Sequence, residues 1–201
     1  VDLSSVGSAT AGFSSSRVYF SGGISVNFKV SDNEIGSFTV EAVNVDNSSI
    51  TGQSDLIEVD PDELEYILIR SGMNNGGFAF KDTAITIDTD TSLTFFAAGY
   101  DQYDNFISDT TADWISTGTL DAVNVSNEYS ITFFPQTAST SGRISANSTV
   151  PGVQPDQTDI ITVISGDLAE IRIQSIKASS TGLSDTTVTA DSILTLYAGG
   201  Y

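Results

Sequence analysis

Five consecutive residues, Asp101-Gln102-Tyr103-Asp104-Asn105, gather more potential chemistry than any other stretch of this 201-residue chain. Hard cations are held by several oxygen ligands, often drawn from one loop and a neighbouring segment. Asp101, Asp104 and the amide of Asn105 offer three such oxygens. Asp60, Asp62 and Glu63 offer others if the strand order brings that segment to the same end of the fold. Calcium is the ion such a set would take; the alternative is a polar turn of solvated carboxylates. The spacing is not that of an EF-hand loop.

Other chemistries find little support. The chain has no histidine and no cysteine. The usual general base, the Ser-His and Cys-His dyads, thiolate metal sites and disulfides are therefore all missing. Lys29, Lys81 and Lys177 stand outside any Ser-x-x-Lys arrangement. With 26 acidic side chains, no single carboxylate pair marks a glycosidase site. The chain is expected not to be an enzyme. Seven basic against 26 acidic residues give a net charge of −19, which repels nucleic acid and anionic membrane surfaces. No run of about 18 apolar residues occurs, so no segment reads as a membrane span.

Three aromatics invite two readings each. Trp114, the only tryptophan, is a core residue or a platform for a sugar. Tyr100 and Tyr103 flank Asp101 and either pack the strand end or touch a ligand. Asn47, Asn124 and Asn147 match the N-glycosylation sequon, which matters only on a surface that its host glycosylates.

The elements that must position these residues read as strands. Glu65 to Arg70, Ser92 to Ala98, Tyr129 to Phe133, Arg143 to Ala146 and Asp159 to Ile164 are β-rich, alternating or short apolar runs. Turn formers separate them: Gly72 to Gly77, Asp101 to Asn105, Gly118 and Pro151 to Pro155. Pro61 to Leu64 allows one short helical turn at most. Several short strands in about a hundred residues indicate a β-sandwich.

The chain also repeats itself. DTAITIDTDTSLTFFAAGY (82–100) returns as DTTVTADSILTLYAGGY (185–201), and DLIEVDPDELEYILI (55–69) as DIITVISGDLAEIRI (159–173). A period of about a hundred residues means tandem small domains rather than a solenoid. The boundaries fall at 1–62, the later strands of a preceding unit; 63–165, a complete unit; and 166–201, the first strands of a following unit. Val26 to Val30 stands where Ile131 to Pro135 stands later, and Gly36 to Val40 where Gly142 to Ala146 does. The connections through Asp60-Pro61-Asp62-Glu63-Leu64 and Ser165-Gly166-Asp167-Leu168 are too short for free hinges.

A family resemblance rests on Leu64-x-x-Ile67-x-Ile69, on Ala97 to Asn105, on Trp114 and on Thr140 to Ala146. In this order they resemble the tandem bacterial immunoglobulin-like repeats of large surface proteins, the invasin and intimin type among them. The resemblance covers 63–165 and, more weakly, both flanks. It implies an all-β chain of tandem immunoglobulin-like β-sandwich domains in a linear array, at the cell surface, extracellular and non-enzymatic. Many relatives have glycine where this chain has Asp104; aspartate also reaches the left-handed conformation such a turn needs.

The function expected is that of a structural segment, a stalk or filament of an adhesin-like surface protein, whose partners are neighbouring repeats of the same protein. The first alternative is a surface-layer, sheath or filament subunit that packs against like molecules. The second is a carbohydrate- or protein-binding module. An exposed apolar patch or unpaired edge would favour the lattice or filament, and a cluster of exposed aromatics the binding module.

Overall fold

Alternation of apolar and polar residues sets the strands, because successive side chains in a strand point to opposite faces. In Leu93–Tyr100, Phe95 and Ala97 turn inward, and in Ile144–Ser148 it is Ile144 and Ala146. The computed structural model describes all residues except 9, 26, 178, 180, 191 and 201. Val26 and Tyr201, two residues of the sequence repeat, therefore lie outside the described residues.

The chain is all-β, with several sheets. Residues 1–62 hold β1 (Asp2–Val6), β2 (Gly12–Phe13), β3 (Phe20–Ser21), β4 (Ile24–Ser25), β5 (Val30–Ser31), β6 (Gly36–Val43), β7 (Thr51–Gln53) and β8 (Ile57–Val59). The long β6 pairs antiparallel with β1, β7 and β8. Leu3, Val18, Phe38 and Val40 form a small core of their own.

Residues 63–165 hold β9 (Tyr66–Arg70), β10 (Ile85–Asp88), β11 (Leu93–Tyr100), β12 (Phe106–Asp109), β13 (Ala112–Ser116), β14 (Asn124–Glu128), β15 (Ser130–Phe133), β16 (Thr140–Gly142), β17 (Ile144–Ser148), β18 (Asp156–Gln157) and β19 (Ile161–Ile164). β11 pairs antiparallel with β9, β12 and β15. A second sheet runs β14-β13-β17-β18. In a third, β10 lies parallel to β19, which pairs antiparallel with β16.

One core joins these sheets. Ile67, Ile69, Phe95, Ile131 and Phe133 meet Ala112, Trp114, Ile144, Ala146, Ile161 and Val163 in a single buried cluster. Each large side chain buried there contributes roughly 1.5–3 kcal/mol. Layers facing one another across such a core are consistent with a β-sandwich. Trp114 is fully buried and its indole N–H donates to the Glu128 carbonyl at 2.9 Å, so its place is in the core.

Pro61 to Leu64, where the sequence allows one short helical turn at most, form none. The chain passes those residues without helix, and the one short 3₁₀ turn among the described residues lies at Phe80–Asp82. The ring of Phe80 sits 4.8 Å from Phe78 and 4.6 Å from Phe95, and that packing holds the turn.

The sequence repeat returns as strand register. β20 (Ile171–Gln174) pairs antiparallel with β21 (Tyr197–Gly200), placing Ile171 opposite Gly200 and Ile173 opposite Ala198. β9 and β11 place Ile67 opposite Gly99 and Ile69 opposite Ala97, which are the same positions of the repeat.

Candidate functional site

The Asp101 loop lies between β11 and β12, against the segment at residues 60–65 that connects β8 to β9. Its sharp turn is made by Asp104, whose φ of 67° is left-handed, as the sequence leads one to expect of an aspartate there. The main chain closes through Asp101 N–H to the Asn105 carbonyl at 3.1 Å and Asp104 N–H to the Asp101 carbonyl at 3.3 Å.

The Asp101 carboxylate is fully buried and accepts on both oxygens. Oδ1 takes the backbone N–H of Tyr103 at 2.8 Å and of Asn105 at 3.0 Å. Oδ2 takes the backbone N–H of Asp62 at 3.0 Å and the Asn105 Nδ2 at 2.9 Å. Burial pushes this carboxyl up, but the hydrogen bonds from the Asn105 side chain and from the backbone of Asp62, Asn105 and Tyr103 outweigh it and hold the pKa below the ordinary aspartate value.

The other acids of the proposed set are dispersed. Asp62 accepts the Gln102 amide at 2.7 Å on Oδ2 and the Glu63 backbone N–H at 2.9 Å on Oδ1. Asp104 accepts the Tyr66 hydroxyl at 2.6 Å, and burial together with that carboxylate pushes the Tyr66 phenol up. Asp60 and Glu63 are exposed. Asn105 reaches the segment between β5 and β6, donating to the Asn33 carbonyl at 2.8 Å and accepting from Ile35 N–H at 3.4 Å.

The structure thus brings Asp101, Asp104, Asn105 and Asp62 together where β11 turns into β12, as the cation reading requires. It uses their oxygens as acceptors for protein donors. Among the described residues no group of three acidic side chains stands close enough to hold a metal ion. Calcium would have to displace the N–H donors that now fill the Asp101 carboxylate.

Tyr100 is buried and stacks on Tyr66 at 5.3 Å, while Tyr103 is exposed at the loop tip. The second connection carries contacts that sequence reasoning did not foresee. Thr89 Oγ1 accepts Gly166 N–H at 3.0 Å and Asp90 Oδ2 accepts Asp167 N–H at 2.8 Å. Their signal was the DTDTS turn inside the repeated segment, legible as a turn but not as an acceptor. Asp156 was missed as well: its carboxylate, pushed up by burial, accepts Ile69 N–H at 2.8 Å and ties β18 to β9.

Among the described residues no helix is long and apolar enough to cross a membrane. No family model matches the chain, nor does any curated protein or solved structure.

Proposed function

We propose that this chain is a non-enzymatic structural segment of an extracellular, cell-surface protein, built of tandem immunoglobulin-like sandwiches that act as a stalk or filament. The observation that carries the reading is the connection at Asp60 to Leu64. Its backbone is held by Asp101, and the unit before it is held by Asn105. A carboxylate spent on orienting a linker is of use to a spacer, whose task is to keep neighbouring units in line. The second connection, held by Thr89 and Asp90, supports the same reading. So do the matched registers of β9 with β11 and β20 with β21.

Small-angle scattering of the dilute 201-residue chain tests it. A compact globule of this length has a radius of gyration of about 17 Å. A stalk segment gives a clearly larger value and a scattering curve with a rod-like cross-section. A value at the globular figure would rule the stalk out.

The filament-subunit reading is favoured by one observation, an open apolar groove on residues 1–62.

A further inference from the structure

We propose that the slot between β14 and β15 binds an extended, cationic peptide segment of another protein, which adds to β15 as a further strand. β15 pairs with β11 on one side, and among the described residues no strand pairs with its other side. Ala97 N–H donates to the Tyr129 carbonyl at 3.0 Å, and the register sets Phe95 opposite Ile131. Hydrogen-bonded and non-bonded pairs alternate along antiparallel strands. Tyr129, Ile131 and Phe133 therefore turn their backbone groups to β11, while Ser130 and Thr132 turn theirs outward. The hydroxyls of Thr94 and Thr132 meet at 3.1 Å, which the closer spacing of a non-bonded pair allows. Among the described residues, the outward N–H and C=O of Ser130 and Thr132 meet no protein partner.

Native sheets blunt such edges with charge, proline or a bulge. Ser130-Ile131-Thr132-Phe133 has none of the three. β14, joined to β15 through Tyr129 alone, ends the neighbouring sheet with all five residues exposed. Between the two edges lies a slot of about 370 Å³. The core residues Ile131 and Phe133 line it together with Val123, Val125 and Phe134. Val125 is 38% and Phe134 62% exposed, apolar surface left open to solvent. An added strand hydrogen-bonds to Ser130 and Thr132 and sends every second side chain toward the slot, so alternate residues of the partner are apolar. Charge sets the residues between them. From Asp82 to Gly142 the chain carries acidic side chains and neither lysine nor arginine. Asp121 lines the slot and Glu128 ends β14. Lysine or arginine on the outward positions of the partner strand meets this field, whereas a second copy, at −19, is repelled by it. Such binding is additional to the work of a stalk and does not depend on it.

The probe is a fluorescent nine-residue peptide of alternating lysine and valine, titrated into the full 201-residue chain and read by anisotropy. It should bind at least tenfold more tightly than a glutamate-valine or a lysine-glycine peptide of the same length, and more weakly as salt is added. Amide exchange locates the contact: the N–H groups of Ser130 and Thr132 should exchange at least tenfold more slowly with the peptide bound. Thr132→Pro removes an outward donor that the fold does not use and should abolish the preference for lysine-valine. Because a proline can also disturb β15, Val125→Lys tests the same slot from an exposed position and should weaken binding at least tenfold. Absence of binding, equal binding of the lysine-valine and lysine-glycine peptides, or unchanged affinity in Val125→Lys would overturn the proposal. So would slow exchange at Thr132 without peptide in a chain that sediments as a dimer, since a second copy would then occupy the edge.

Discussion

Gly99 lies directly beneath Leu64: a Cβ at position 99 would stand 2.7 Å from the Leu64 Cδ1 and 3.2 Å from the Ser108 carbonyl oxygen. The same pair recurs one unit later, where a Cβ at Gly200 would stand 2.5 Å from the Leu168 Cδ1. The strand end is glycine so that the first residue of the unit can fold down over it. Gly99→Ala should cost about 1–2 kcal/mol by overpacking. Leu64→Ala in the same chain should recover part of that loss, since neighbours in contact couple. Urea unfolding followed by the buried Trp114 reads both, and additive losses would show that the two side chains do not meet.

Asp101 makes the fold's stability depend on acid. Its folded pKa lies below its unfolded value, so its contribution is full above the unfolded value of about 3.9 and disappears as pH falls through the folded one. Asp101→Asn turns an amide donor toward backbone donors and should cost about 3 kcal/mol at pH 7. The gap between the two proteins should then narrow steadily once the pH is taken below about 4. Denaturant titrations at neutral and acid pH give the comparison. A gap of constant size would mean that the carboxylate charge contributes nothing.

Calcium should leave the melting temperature nearly unchanged. All four acceptor positions of Asp101 already receive N–H donors, so an ion gains a ligand there only by stripping hydrogen bonds. A site with a dissociation constant of about 1 mM would add roughly 1.4 kcal/mol in about 10 mM calcium. For a chain of this length that corresponds to a rise of roughly 3–6 °C. Calorimetry with calcium and with chelator separates the cases, and a rise of that size would restore the loop as an ion site.

The parts of this architecture that were legible in the sequence are those fixed by local pattern. Alternation in Leu93 to Ala97 placed β11, and the recurrence of Leu-x-x-Ile-x-Ile and Ala-x-Gly foretold a register that the strands repeat residue for residue. The acidic loop was legible as a turn, down to the left-handed Asp104. What its carboxylates face was not. Asp101 meets a backbone N–H from residue 62, and Asn105 a carbonyl at residue 33, far away along the chain. Pairings of that range leave no periodic trace, and composition cannot tell a carboxylate waiting for a cation from one already filled by amides. The same range decides the segment at Pro61 to Leu64: Pro61 starts helices well, but Asp62 N–H is claimed by Asp101 and no turn of helix forms.

The two connections should also differ in which residue protects them. Asp62 N–H rests on Asp101, from the unit that follows the first connection, whereas Gly166 and Asp167 N–H rest on Thr89 and Asp90, from the unit that precedes the second. Proteases need several residues of extended, released backbone, so each contact slows cutting by the free energy needed to break it. Those made by Asp101 and Asp90 are hydrogen bonds to a carboxylate, and about 1.4 kcal/mol per contact corresponds to a tenfold change in the open population. Asp101→Ala should therefore expose the Glu63 bond to a glutamate-specific protease about tenfold faster while leaving the second connection as slow as before. Asp90→Ala should do the reverse, speeding an aspartate-specific enzyme at Asp167 and sparing Glu63. Mass spectrometry of the fragments over time distinguishes the two sites. If either substitution accelerated both cuts equally, the loss would be one of global stability, and the contacts would not be holding the connections one by one.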